Sequence, residues 1–133
     1  MTDSPDPVAW AALAAARYLR LTTFRRDGTP VATAVWLVRD GDHLLVITGS
    51  ATGKVKRIRH TPRVLLAPSD LRGRVRAGIH DVVARAEIVD DPAEIARLLT
   101  LLKRRYGLTF RALTLAQRLR GQSMGGVELR LTA

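Results

Sequence analysis

Two Asp-Gly pairs, Asp27-Gly28 and Asp40-Gly41, limit what this chain can fold into more than any other feature. Each stands between apolar runs: Tyr18–Phe24 before the first, Val31–Val38 between the two, His43–Thr48 after the second. Asp-Gly suits the centre of a tight hairpin turn, because glycine accepts a positive φ without a Cβ clash. The three runs are therefore predicted to form an antiparallel meander. The middle run, VATAVWLV, has no polar parity. Val31, Thr33, Val35 and Leu37 would face one way, and Ala32, Ala34, Trp36 and Val38 the other. A sheet wet on one side alternates apolar with polar, so this strand is expected to be covered on both faces. One face can be a barrel interior. The other needs the protein's own helices, a ligand or a second subunit.

The rest of the chain supplies more strands and puts helices between them. Residues 1–7 are polar, hold two prolines and are expected to be loose. Val8–Arg17 is alanine-rich and helical in propensity. Thr52–His60 reads as a helix with Val55 and Ile58 inward, stopped by Pro62. Arg63–Pro68 is predicted as a strand, LRGRVRAG as a loop and Ile79–Val89 as a long strand. At Asp91 a helix opens: Asp91 can cap, Pro92 suits the first position, and Glu94 completes a capping box. Ile95, Leu98, Leu99, Leu102 and Tyr106 keep helical spacing, Lys103-Arg104-Arg105 suit the carbonyl end, and Gly107 can terminate it. Phe110, Leu113, Ala116 and Leu119 suggest one more helix, and Val127–Thr132 a final strand. The sum is a single mainly β domain over residues 1–133: a small, six-stranded antiparallel barrel with helices in the connections.

Charge narrows the partners. There are 22 Lys+Arg against 12 Asp+Glu, a net of +10. Such a field favours anions; nucleic acid, a membrane surface and a phosphorylated small molecule all qualify. No apolar run approaches the ~18 residues of a membrane span. MTDSPDPVAW lacks the basic start of a signal peptide, and the absence of cysteine removes disulfides and thiolate chemistry. A cytoplasmic protein is expected. Nucleic acid is disfavoured: single-strand binders stack bases on aromatics, and the two Trp, two Tyr and two Phe here fall mostly at predicted core positions.

Between Ser50 and Arg76 stand eight cations and one acid, Asp70. They begin in VITGSATGKVKRIRHTPRV, which resembles a phosphate loop but fails its pattern. Gly49 and Gly53 are one residue too close, and Val55 replaces the magnesium-binding hydroxyl. The chemistry of anion binding survives without the motif. A strand ends at Thr48, a hydroxyl-rich turn follows (Thr48, Ser50, Thr52), and a helix starts near Gly53 and Lys54 with free amides at its positive end. Lys54 and Arg57 share a face. A capped surface helix with a solvated basic face fits the same residues, and both readings stay open here. Gly121-Gln122-Ser123-Met124-Gly125 matches the nucleophile elbow in spelling only, since a helix precedes it and no histidine follows. His43, His60 and His80 have no metal-binding spacing, and no metal site is expected. Asp81, Glu87 and Glu128 fall on predicted strands and are expected to pair with arginines. No catalytic constellation emerges.

As a set, these segments resemble the split β-barrel flavin- and deazaflavin-binding proteins of the pyridoxamine-phosphate-oxidase superfamily, and most of all the small oxidoreductases that use coenzyme F420. The resemblance rests on LTTFRRDGTPVATAVWLV, DGDHLLVITGSATGKVKRIRHTPRVLLAPSDLRGRV and VVARAEIVDD, and on the spacing of Thr48, Thr52, Lys54 and Pro62. It spans about residues 18–132. It implies a split-barrel homodimer with cofactor at the subunit interface. Thr48, Ser50, Thr52, Gly53 and Lys54 would take the phosphate, and Arg57 and Lys56 would reach it or the acidic tail. Thr33, Ala34, Val35 and Trp36 would lie beneath the tricyclic ring, and Arg72 and Arg74 are candidates for the tail, a chain of glutamates. The implied reaction is hydride transfer between the deazaflavin C5 and a small organic acceptor. The alternatives are an FMN-dependent reductase or oxidase of the same fold, or a non-catalytic module that binds a flavin, haem or nucleic acid; the superfamily also holds haem-binding members.

Overall fold

The structure is a computed structural model and describes residues 7–49, 52–109 and 126–133. Helix α1 (Pro7–Ala15) leads into β1 (Tyr18–Phe24), β2 (Pro30–Trp36), β3 (Val38–Asp40) and β4 (His43–Gly49). Then come α2 (Gly53–His60), β5 (Arg63–Ser69), β6 (Val82–Val89), α3 (Pro92–Tyr106) and β7 (Gly126–Thr132). The sheet is antiparallel at every pairing, in the order β2-β1-β5-β6-β7-β4-β3. Both Asp-Gly turns are where expected, with Gly28 at φ 89° and Gly41 at φ 59°.

Among the described residues there are seven strands where the sequence predicts six. The run expected as one strand over 31–38 breaks at Leu37, and its halves pair with opposite ends of the sheet: β2 with β1, β3 with β4. One crossing of the chain thus links the two edges and curls the sheet on itself. The break costs ladder hydrogen bonds at a fully buried residue, since Leu37 is 0% exposed. The Tyr106 hydroxyl replaces them. It accepts from the Leu37 amide at 3.0 Å and lies 2.9 Å from the Leu37 carbonyl and 2.7 Å from that of Arg17. Its one proton serves either carbonyl.

Other boundaries shift for local reasons. Pro7, expected in the loose segment, opens α1, which ends at Ala15 instead of Arg17. The long strand starts at Val82 instead of Ile79, because residues 76–79 close a turn through the Ile79 amide and Arg76 carbonyl. Asp91 caps α3 by accepting from the Ala93 amide. Glu94 does not complete the box; it pairs with Arg97 and Arg130. The helix expected at Phe110, Leu113, Ala116 and Leu119, the Gly121–Gly125 motif and Ser50 lie outside the described residues.

Two apolar clusters hold the fold. The barrel interior takes Leu19, Leu21, Val35, Leu37, Leu44, Val46, Val64, Leu66, Leu129 and Leu131, with Leu13 of α1 and Ile58 of α2 against it. Outside the barrel, Leu98, Leu102 and Tyr106 of α3 cover Val38 and Leu45. On the outer face of β2, β1, β5 and β6, Tyr106 of α3 reaches Tyr18 and Trp36, and Thr22 and Ala67 are buried. There Ala32 is exposed, Ala34 and Trp36 are half-buried, and Val83 keeps half its surface open. The doubly apolar middle run therefore buries one face in the barrel, while on the other Ala32 is exposed and Ala34 half-buried.

Candidate functional site

The start of α2 gathers positive charge with no acid in the helix's first turn to balance it. β4 delivers Thr48, which is buried at the strand's end, and its hydroxyl lies 3.3 Å from that of Thr52. Thr52 occupies the cap position of α2 but does not cap it: its hydroxyl donates to the Gly49 carbonyl at 2.9 Å. Among the described residues, no side chain caps the leading amides of α2 and no acid in its first turn offsets the helix's partial positive charge.

Two cations add to it. Lys54 is half-buried, and burial, with Arg57 beside it as a smaller cause, holds its ammonium below the ordinary lysine range. Arg57 folds back from the next turn. Its Nε donates to the Thr23 hydroxyl at 2.6 Å, and its Nη1 lies 2.6 Å from where a Cβ on residue 53 would stand. Glycine at 53 therefore leaves the place that the guanidinium fills. Thr23 is fully buried at the end of β1. It is the one contributor that sequence reading missed, although the Thr22-Thr23 pair near the end of β1 was the available signal. Lys56 is exposed on another side of α2.

The four residues expected beneath a ring divide by strand parity. Val35 is core and Thr33 shares its parity, with a buried Oγ1 that finds no partner. Ala34 and Trp36 share the outer face with Tyr18 and Arg20, their opposites on β1. Trp36 is held edge-on to Tyr18 at 6.0 Å between centroids and tilted against Tyr106 at 4.5 Å. Arg72 rides on the loop after β5, which Asp70 organises by accepting from the Arg72 and Arg74 amides, both at 2.9 Å. The next residue brings that loop to β2: a Cβ on Gly73, at φ +83°, would stand 3.6 Å from the Ala34 Cβ. Arg74 is tied to Asp70 at 2.8 Å. Of the acids expected to pair with arginines, Asp81 meets Arg20 at 3.1 Å and Glu128 meets Arg130 at 3.2 Å. Glu87 is exposed. His60 and His80 are exposed and His43 is half-buried.

A small antiparallel sheet curled on itself, with helices in its connections, is the build of a split barrel. The pyridoxamine 5'-phosphate oxidase family model matches residues 6–130, and the chain belongs to that family. No curated protein matches it in sequence. Among solved structures, a conserved hypothetical protein of Mycobacterium tuberculosis is 23% identical with a TM-score of 0.69, over 100% of this chain and 84% of that one. The haem storage protein HutZ of Vibrio cholerae is 15% identical with a TM-score of 0.65, over 97% and 89%. An F420 reductase is 20% identical with a TM-score of 0.57, over 96% and 94%. These likenesses concern the fold. Among the described residues no helix is long and apolar enough to cross a membrane.

Proposed function

We propose that the protein is an oxidoreductase that binds coenzyme F420 at the interface of a homodimer and serves hydride transfer to a small organic acceptor. The observation that carries this reading is the pairing of half-buried Lys54 with Arg57 at an uncapped helix start that has no acid in its first turn. Burying like charges together is costly unless an anion joins them. A phosphate there would accept from the leading amides of α2, the Lys54 ammonium and the Arg57 guanidinium, a set of charge-assisted hydrogen bonds. Thr48 and Thr52 stand beside it, and Ser50 belongs to the same turn.

The donor set fits the phosphate that F420 and FMN share. The cofactor supplies the hydride chemistry, and the protein's part is to orient it and exclude water. Ala34 and Trp36 offer an apolar floor for a planar ring, and Thr33 and Val35 hold that floor from inside the barrel. A second copy laid on the outer face would cover exposed Ala32 beside Ala34 and seal the ring from solvent. The abundance of cations near the site favours F420, whose tail carries several carboxylates, over FMN. The test is titration with F420 and with FMN, followed by fluorescence. Saturable F420 binding is expected, weakened by about 1.5–3 kcal/mol in Lys54→Ala, the usual worth of a charged hydrogen bond. Unchanged affinity in that variant would take Lys54 out of the site.

A further inference from the structure

Arg63 and Arg85 face each other across β5 and β6 as register partners. Both are exposed, and among the described residues neither has an acid within ion-pair distance. Side chains opposed in an antiparallel pair start about 5 Å apart, and like charges so placed repel. The acid nearest in register, Glu87, is two residues further along β6 and stands opposite Arg130. The Arg63 guanidinium carbon lies 5.3 Å from the Phe24 ring centroid. Stacking on an aromatic holds the plane and leaves the N–H donors at its edge free. Phe24 follows Thr23, the residue that anchors Arg57. The two guanidiniums are therefore fixed by adjacent residues at the end of β1, one serving the start of α2 and the other the outer sheet face. Arg25 and Arg26, both exposed, continue the cationic strip around that end.

We infer that Arg63 and Arg85 form a second anion site, which receives the carboxylates of an acidic tail running from the start of α2 around the end of β1. The inference rests on the reading of α2 as the phosphate site and adds the determinant of tail length. The tail's main anchor is then this pair, and not Arg72 on the loop after β5. Helix α2, with 8 residues, spans about 12 Å, a distance that roughly four extended residues cover.

The test compares F420 carrying several glutamates with the same phosphorylated deazaflavin lacking them, each titrated at low salt. Three proteins are used: wild type, Arg63→Gln/Arg85→Gln, and Arg72→Gln. Wild type is expected to bind the tailed form about tenfold more tightly, with a preference that shrinks as salt rises. The double variant should lose the preference, bind the tailless form as wild type does, and melt no lower than wild type because a repulsion is relieved. Arg72→Gln should keep the preference. A double variant that still prefers the tailed form, or an Arg72→Gln protein that loses the preference, overturns the inference. Binding by wild type without regard to the tail removes this inference alone; binding of neither form removes the reading of α2 with it.

Discussion

At the scale of single residues, function and stability pull against each other at Lys54. Its lowered pKa means that the folded state disfavours the ammonium at neutral pH, so the charge costs stability until an anion arrives. Lys54→Met should therefore melt at or above the wild-type temperature without cofactor, while its affinity for F420 falls. A variant that loses both stability and affinity would mean that the ammonium holds the apo fold together. Gly53→Ala probes the same site from the other side. A methyl at 53 would stand 2.6 Å from Arg57 Nη1, the far end of a flexible side chain. The guanidinium is expected to swing away with little change in melting temperature and a loss of affinity. The sequence showed Lys54 and Arg57 as face-sharing cations but could not show Arg57 folding back over Gly53. That depends on Thr23, 34 residues away along the chain.

Among the elements, the break between β2 and β3 decides the architecture. Alternation read from VATAVWLV correctly separates Leu37 from Trp36 by face, but periodicity carries no sign of where a strand changes partner. The cause lies in Tyr106, the last residue of α3, whose hydroxyl takes the place of a neighbouring strand at Leu37. Tyr106→Phe leaves the fully buried Leu37 amide without its acceptor. A destabilisation of about 1–3 kcal/mol is expected in chemical denaturation; a neutral result would show that the break is held by packing alone. Helices α2 and α3 were legible nearly to the residue because their caps, stops and apolar spacing are local signals. The beginning of β6 was not, because a turn between Arg76 and Ile79 uses backbone groups alone.

At the scale of the whole molecule, β7 carries a charge that the fold buries. Glu128 is 0% exposed beneath α3, pairs with Arg130, and leaves Oε1 without a partner. Burial raises its pKa, and Arg130 offsets only part of that. A raised carboxyl pKa means the fold prefers the protonated form. Its stabilising effect is full below the ordinary glutamate pKa of about 4.3 and is lost as pH rises through the raised value. Glu128→Gln keeps an oxygen for Arg130 and removes the titration. Its stability relative to wild type should grow as pH rises above about 4.3; a difference that stays flat with pH would mean Glu128 titrates normally.

Assembly belongs to this scale too. The outer face around Ala32, Ala34 and Trp36 is where a second copy is proposed to sit, so Trp36→Asp should give monomers or lose the cofactor. A stable dimer that still binds it would mark that face as ordinary surface. Fold class was readable from the Asp-Gly turns and the covered middle strand. Which cations belong to the site was not, since ten excess positive charges in a sequence of 133 residues gain meaning only once strand register sets Arg63 against Arg85 and leaves Lys56 exposed on α2.

The most direct measurement is the fluorescence titration of the wild-type protein with F420. Saturation at one molecule per chain, weakened in Lys54→Ala, is the predicted result. A folded protein that binds neither F420 nor FMN would contradict the account.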